Sequence, residues 1–123
     1  MRRSPTAAAL AALFVVASAC GSGYGSTPTG PNNTPQPGAI VIAIVGVNGA
    51  KSFSPNPSTV PAGQMVVWHN VDTVTHRVVL DDGRLDAGNI AAGSFSAPMT
   101  LAAPGPYHCT IHPEMIGTIA GGQ

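Results

Sequence analysis

The stretch YHCTIHPEM, residues 107 to 115, carries a thiol, an imidazole and a thioether at three-residue intervals, at Cys109, His112 and Met115. Its first three residues are predicted to end a β-strand, in which successive side chains point to opposite faces. Tyr107 and Cys109 then share the inward face, and His108 points toward solvent. A thiol inside a sheet, next to two further donors on the following loop, indicates a metal site at one end of a β-fold.

The remainder of the folded region is predicted to consist of short β-strands. Runs rich in β-branched and apolar residues alternate with Gly and Pro clusters, and no run has the sustained 3.6-residue period of a long helix. This spacing predicts an all-β, antiparallel Greek-key sandwich or barrel. The runs are AIVIAIVGV (39–47), QMVVWHN (64–70), HRVVL (76–80), SFSAPMTL (94–101) and MIGTIA (115–120).

The charge content argues against a nucleic-acid partner. Charged residues make up 8% of the 123-residue chain, and two of the five basic residues lie in the leader. Binding to phosphates requires clustered Lys and Arg, which the folded region does not offer.

The first 19 residues are predicted to be an export signal of the lipoprotein type. A basic start is followed by an apolar run and by small residues up to Cys20. The run is roughly 11 residues long, too short to span a bilayer comfortably. Cys20 is then the lipidated residue, and the protein is exported to the periplasmic or cell-surface side of a membrane. The alternative is an ordinary signal peptide, with Cys20 unmodified or in a disulfide.

Residues 20–38 are predicted to form a flexible linker, because Gly, Ser, Thr and Pro dominate them and apolar residues are scarce. The folded domain is predicted to span residues 39–123. If Cys20 carries lipid, Cys109 is the only thiol left outside the cytoplasm. Such a thiol is expected to be buried, catalytic or bound to metal.

The donors themselves indicate the metal. Cys109, His112 and Met115 fit the pattern C-x2-H-x2-M, and His76 opens a strand further upstream. Two imidazoles and a thiolate with a weak axial thioether form the blue-copper ligand set. Zinc is disfavoured because a thioether is a poor zinc ligand. His69 and His108 are interpreted as surface or hydrogen-bonding histidines, and Glu114 as a solvated carboxylate.

The domain resembles the cupredoxins, in particular the plastocyanin and amicyanin group, and the ligand loop has the short length of amicyanin. The resemblance implies a copper ion held by His76, Cys109 and His112 in the equatorial plane and by Met115 axially. The matching motifs are F-x-P at 53–55, V-P-A-G at 60–63, W-x-N-x-D at 68–72, D-x-G at 86–88, P-G-x-Y-x-C at 104–109 and H-P-x-M-x-G at 112–117.

Three positions depart from the family pattern. Thr75 and Ile111 stand where prolines commonly precede the two histidine ligands, and Arg77 follows the first histidine. A guanidinium pointing inward would raise the reduction potential, but we expect the Arg77 side chain to extend outward, as long charged side chains do.

The resemblance implies a monomeric one-electron carrier that is not an enzyme. The electron is expected to leave through His112, within a docking surface that includes Ile111 and Pro113, toward redox proteins that bind transiently. Three alternatives use the same residues: a copper delivery protein, a copper storage protein, and a hydrolase with Cys109 as nucleophile activated by histidine.

Overall fold

The computed structural model describes residues 37–122 of the chain. The predicted signal peptide, Cys20 and most of the predicted linker lie outside the described residues. Within the described residues, no helix has the length and apolar character needed to cross a membrane.

Nine strands within residues 37–122 form two sheets, which confirms the predicted all-β fold class. The four-stranded sheet has the order β2-β1-β4-β7, and the five-stranded sheet has the order β3-β9-β8-β5-β6. A short 3-10 turn at Gly49–Lys51 precedes β2. The strands are β1 (Ile40–Ile44), β2 (Phe53–Ser54), β3 (Ser58–Pro61), β4 (Met65–Asn70), β5 (His76–Leu80), β6 (Asp86–Ile90), β7 (Met99–Thr100), β8 (Gly105–Cys109) and β9 (Ile116–Gly122).

The expectation of purely antiparallel pairing was wrong in two places. Strand β1 pairs parallel to β4, and β3 pairs parallel to β9. The chain passes from β2 in one sheet to β3 in the other before it returns as β4, so β4 re-enters beside β1 in the same direction. The other strand pairs are antiparallel.

Three strands lie outside the runs that the sequence predicted. These are β2, β3 and β6, and all three are edge strands, β2 in the smaller sheet and the other two in the larger sheet. An edge strand needs hydrogen bonds on one side only, so it tolerates the Pro and Gly that obscured it in the sequence. Conversely, the run predicted at 94–101 contributes only the two residues of β7 and a single bridge from Phe95 to His69.

The core lies between the sheets and is centred on aromatic side chains. The ring of Tyr107 packs edge-on against Phe53 and Trp68, with centroid distances of 4.7 and 5.6 Å. Tyr107 also lies directly over Gly117, where a Cβ would come within 2.2 Å of the tyrosine ring. Only glycine fits at that position. Burial raises the pKa of the Tyr107 hydroxyl.

Both ends of the described chain lie at one pole of the sandwich, which we call the far pole. Ile40 pairs with Val66 near the start of β4, and the Gln64 side chain donates to the carbonyl of Gly38. At the other end of the described chain, Gly122 pairs with Pro61, whose carbonyl accepts the N–H of Gln64. The opposite pole holds the end of β4, the start of β5 and the end of β8, and we call it the metal pole.

Candidate metal centre

Two neighbouring strands and one loop bring the predicted donors to the metal pole. His76 is the first residue of β5, and Cys109 is the last residue of β8. The two strands are paired so that Val78 lies opposite Cys109. His112 lies in the loop that follows, and Met115 immediately precedes β9.

Backbone hydrogen bonds close the ligand loop into a compact turn. The N–H of Met115 donates to the carbonyl of His112 at 2.9 Å, and the N–H of Cys109 donates to the carbonyl of Met115 at 3.0 Å. The N–H of Thr110 donates to the carbonyl of Arg77 at 2.8 Å, which ties the loop to β5. The spacing of the donors is therefore set by the scaffold.

Three of the four predicted ligands converge. The Nδ1 atoms of His76 and His112 are 3.2 Å apart, and they lie 3.8 and 3.9 Å respectively from the Sγ of Cys109. Atoms bound at about 2.0–2.3 Å to one ion in a tetrahedral to trigonal arrangement lie about 3.3–4.0 Å apart. The cluster therefore fits a single metal ion, and its imidazole and thiolate donors fit copper.

Met115 follows His112 closely in the sequence and is fully buried. Its backbone forms hydrogen bonds with the backbone of both Cys109 and His112. Its thioether is the right kind of donor for a weak axial contact. The axial role of Met115 remains a prediction.

Asp72 contacts the cluster, although the sequence showed it only as one letter of a motif. Its Oδ2 lies 2.9 Å from the Nε2 of His76. An ionised carboxylate can only accept, so Nε2 carries the proton and the lone pair of Nδ1 is left facing the cluster. The backbone N–H of Thr73, and after it the ring of His76, hold the pKa of Asp72 below its usual value.

Asn70 holds the loop that carries Asp72. Its buried side chain donates to the carbonyls of Val74 and Ile90 at 2.7 and 2.9 Å, and its Oδ1 accepts the N–H of Asp72 at 3.0 Å. The carboxylate therefore faces His76 because a buried amide fixes the turn before it.

Within the described part of the chain, one backbone N–H donates to the Cys109 sulfur. The N–H of Arg77 points at the Sγ of Cys109, with an N···S distance of 3.5 Å. The Arg77 guanidinium extends outward, as expected, and forms an ion pair with Asp86 on the surface.

The remaining histidines lie outside the cluster. The ring of His69 stacks on Phe95 at a centroid distance of 3.9 Å, and His108 pairs with Asp81 through Nδ1 at 2.6 Å. Strand alternation is confirmed in β8, because Tyr107 and Cys109 are buried and His108 is partly exposed.

Apolar side chains are exposed on both loops that lead to the donors. His112 is half-buried, and neighbouring Ile111 is 46% exposed. On the loop before His76, Val71 and Val74 are 51% and 44% exposed. We use the name apolar rim for four exposed side chains, those of Val71, Val74, Ile111 and Pro113.

Comparison with known proteins gives structural relatives only. No protein-family model and no curated protein matches the chain. A reduced tryptophan-to-tyrosine variant of amicyanin matches with a TM-score of 0.61 and 26% identity, over 77% of this chain and 95% of that one. A methionine-to-alanine variant of amicyanin in its Cu(I) form matches with a TM-score of 0.58 and 27% identity, over 72% and 86% of the chains.

A purple cupredoxin from Nitrosopumilus maritimus shares the fold, with a TM-score of 0.56 and 24% identity over 68% of this chain and 99% of that one. The fold and the His-Cys-His cluster together define a cupredoxin-like protein. Within that class, the chain resembles amicyanin, as the short ligand loop predicted.

Proposed function

We propose that this protein is a one-electron carrier with a single type 1 copper ion, held by His76, Cys109 and His112 with Met115 as the axial ligand. The convergence of two Nδ1 atoms and a buried thiol in a cupredoxin fold carries this proposal. Bound copper would supply the Cu(I)/Cu(II) couple.

In this proposal, the protein restricts the movement of the donor atoms. Soft thiolate and thioether suit Cu(I), while imidazole suits both oxidation states, so the mixed set serves both with little rearrangement. The strand positions of His76 and Cys109 and the hydrogen bonds within the ligand loop restrict movement of the donors. Small movement between oxidation states favours fast electron exchange.

The apolar rim is proposed as the docking surface. His112 is the partly exposed imidazole of the cluster, so its ring edge offers the shortest route to a partner. An apolar contact of small area suits a complex that must form and separate quickly. The partners are then redox proteins with an apolar face of their own.

Copper delivery is the second candidate, and partial exposure of His112 favours it because a competing ligand can approach there. A hydrolase is disfavoured, because a nucleophilic cysteine must reach its substrate and Cys109 has 0% exposure.

We propose an extracytoplasmic location with a lipid anchor on Cys20. The leader sequence supports it. An anchor preceding residue 37 would attach at the far pole and leave His112 free. Intact-mass measurement of the membrane fraction, compared with Cys20→Ser, tests the anchor: lipid mass on the parent chain alone supports it.

The visible spectrum after addition of Cu(II) tests the function. A carrier gives an intense thiolate-to-copper band that bleaches on reduction and returns on oxidation, with one copper per chain. Rapid loss of copper to a chelator favours delivery. Absence of the band in a folded protein contradicts the copper assignment.

A further inference from the structure

The hydrogen bond from the Arg77 N–H to the Cys109 thiol replaces a bond of the β-ladder. Continuing the β5–β8 register by one residue places Arg77 opposite Thr110. An antiparallel pair of this type exchanges two hydrogen bonds. One of them is present, from the N–H of Thr110 to the carbonyl of Arg77, but the N–H of Arg77 points to the sulfur instead.

The ladder on the other side of β5 is interrupted at the same place. Arg77 pairs with Asn89 and Val79 pairs with Asp86, so β6 has an extra residue opposite Val78. Gly88, with φ of +67°, lies in this bulge. The regular β-ladder is therefore lost at the Arg77 N–H on the β8 side and one residue further on, at Val78, on the β6 side.

Side chains bridge the interruption. The Arg77 guanidinium binds both carboxylate oxygens of Asp86, and Asp86 Oδ1 also accepts the N–H of Gly88 at 2.9 Å. A bidentate Arg–carboxylate pair fixes orientation as well as distance. One carboxylate therefore links β5 to the turn of the bulge.

We propose that the Arg77–Asp86 ion pair is a positioning device that holds the Arg77 N–H on the Cys109 sulfur and so raises the reduction potential of the centre. A donor to the sulfur withdraws electron density from the thiolate and favours Cu(I), because hydrogen bonding around the Cys sulfur tunes the potential of such sites. The statement about potential rests on the proposed function, whereas the hydrogen bond itself can be tested without metal.

Asp86→Asn separates positioning from simple electrostatics. Asparagine keeps an acceptor for the N–H of Gly88 but loses the charge that binds Arg77. Removing a negative charge would by itself raise the potential. Loss of the positioned N–H would lower it. The two explanations therefore predict opposite signs.

The matched control is Asp82→Asn. Asp82 also forms an ion pair with an arginine, in which the Nε and Nη2 of Arg84 both donate to Oδ2, and its Oδ1 accepts the backbone N–H two residues on at 2.9 Å. Arg84 and Asp82 lie in the turn between β5 and β6, and neither contacts Arg77 or the cluster through any hydrogen bond or ion pair found in residues 37–122.

Two measurements on the mature chain decide the matter. Redox titration of the copper form should show the Cu(I)/Cu(II) ratio at a fixed potential about three- to tenfold lower in Asp86→Asn, equivalent to about 30–60 mV, and unchanged or slightly higher in Asp82→Asn. Amide hydrogen exchange of the metal-free chain should show faster exchange at Arg77 in Asp86→Asn alone.

The conservative variant Arg77→Lys keeps the positive charge but cannot bind both carboxylate oxygens of Asp86 in the same way. The backbone amide of residue 77 should then show an intermediate loss of protection from exchange. A potential that rises in Asp86→Asn, or an Arg77 amide as protected as in Asp82→Asn, overturns the proposal. If the parent chain gives no copper band, the proposed function fails while the exchange measurement still decides whether the ion pair positions the N–H.

Discussion

His76 and His112 present the same ring atom to the cluster from two different kinds of structure. His76 belongs to a strand, has 0% exposure, and its second nitrogen is bound to Asp72. His112 belongs to a loop and is half-buried beside the apolar rim. One side of the site is fixed and closed, and the other is open. The proposed carrier function needs both, because a closed side would fix the geometry of the site and an open side would give a partner access to it.

The largest effect is expected at Cys109, which both sides share. Cys109→Ser replaces the soft thiolate by a weak hard donor, so the thiolate-to-copper band should vanish. Copper should bind more than about 100-fold more weakly, because loss of a group that merely supports a ligand already costs about 10- to 100-fold. Absorption and copper content measure this. Circular dichroism of the metal-free chain serves as the control, and a band that survives would refute the ligand assignment.

The next test asks whether the two histidine sites differ as their surroundings indicate. Each histidine is replaced separately by glycine and imidazole is added. His112→Gly should regain a thiolate-to-copper band, because its site opens to solvent, whereas His76→Gly should not, because a ligand cannot reach a buried position without opening the fold. Equal recovery of the band in both variants would contradict the distinction between a closed histidine site and an open one.

The closed side depends on Asp72. Asp72→Asn can leave His76 in the wrong tautomer or orientation, and copper should bind about 10- to 100-fold more weakly, which is typical when a ligating histidine loses the carboxylate bonded to its other nitrogen. Competition with a chelator of known affinity measures the change. Glu114→Gln, which neutralises an exposed carboxylate in the ligand loop, is the control and should leave the affinity unchanged.

The smallest effect is expected on the open side. Ile111→Lys puts a charge into the apolar rim, and repulsion between two copies should slow electron self-exchange roughly tenfold at low salt, with less effect at high salt. NMR line broadening in mixtures of reduced and oxidised protein measures the rate. Thr59→Lys adds the same charge on exposed edge strand β3 and should change the rate little. An unaffected rate in Ile111→Lys would place the docking surface elsewhere.

The sequence was informative where structure is set by near neighbours. Strand alternation correctly placed Tyr107 and Cys109 inside, and the three-residue spacing of Cys109 and His112 indicated two donors that the structure brings together. In β4 the pattern could not show which face was buried. The structure shows why: Trp68 points into the core, yet Val67 on the opposite face is also only 1% exposed.

The sequence was less informative where position depends on distant partners. Asp72 meets His76 in a turn that the buried side chain of Asn70 holds through hydrogen bonds. Asp86 meets Arg77 across the bulge that shifts the register between β5 and β6. Neither contact can be predicted from the residues next to it in the sequence. Edge strand β6, which contains the bulge, is also rich in residues that normally mark turns.

The location of both described chain ends at the far pole has a practical consequence. The domain could be joined to a neighbouring module, or immobilised on an electrode, through residues near Gly38 or Gly122, because neither attachment would cover His112. Surface voltammetry of chains attached at each end should then give currents of similar size.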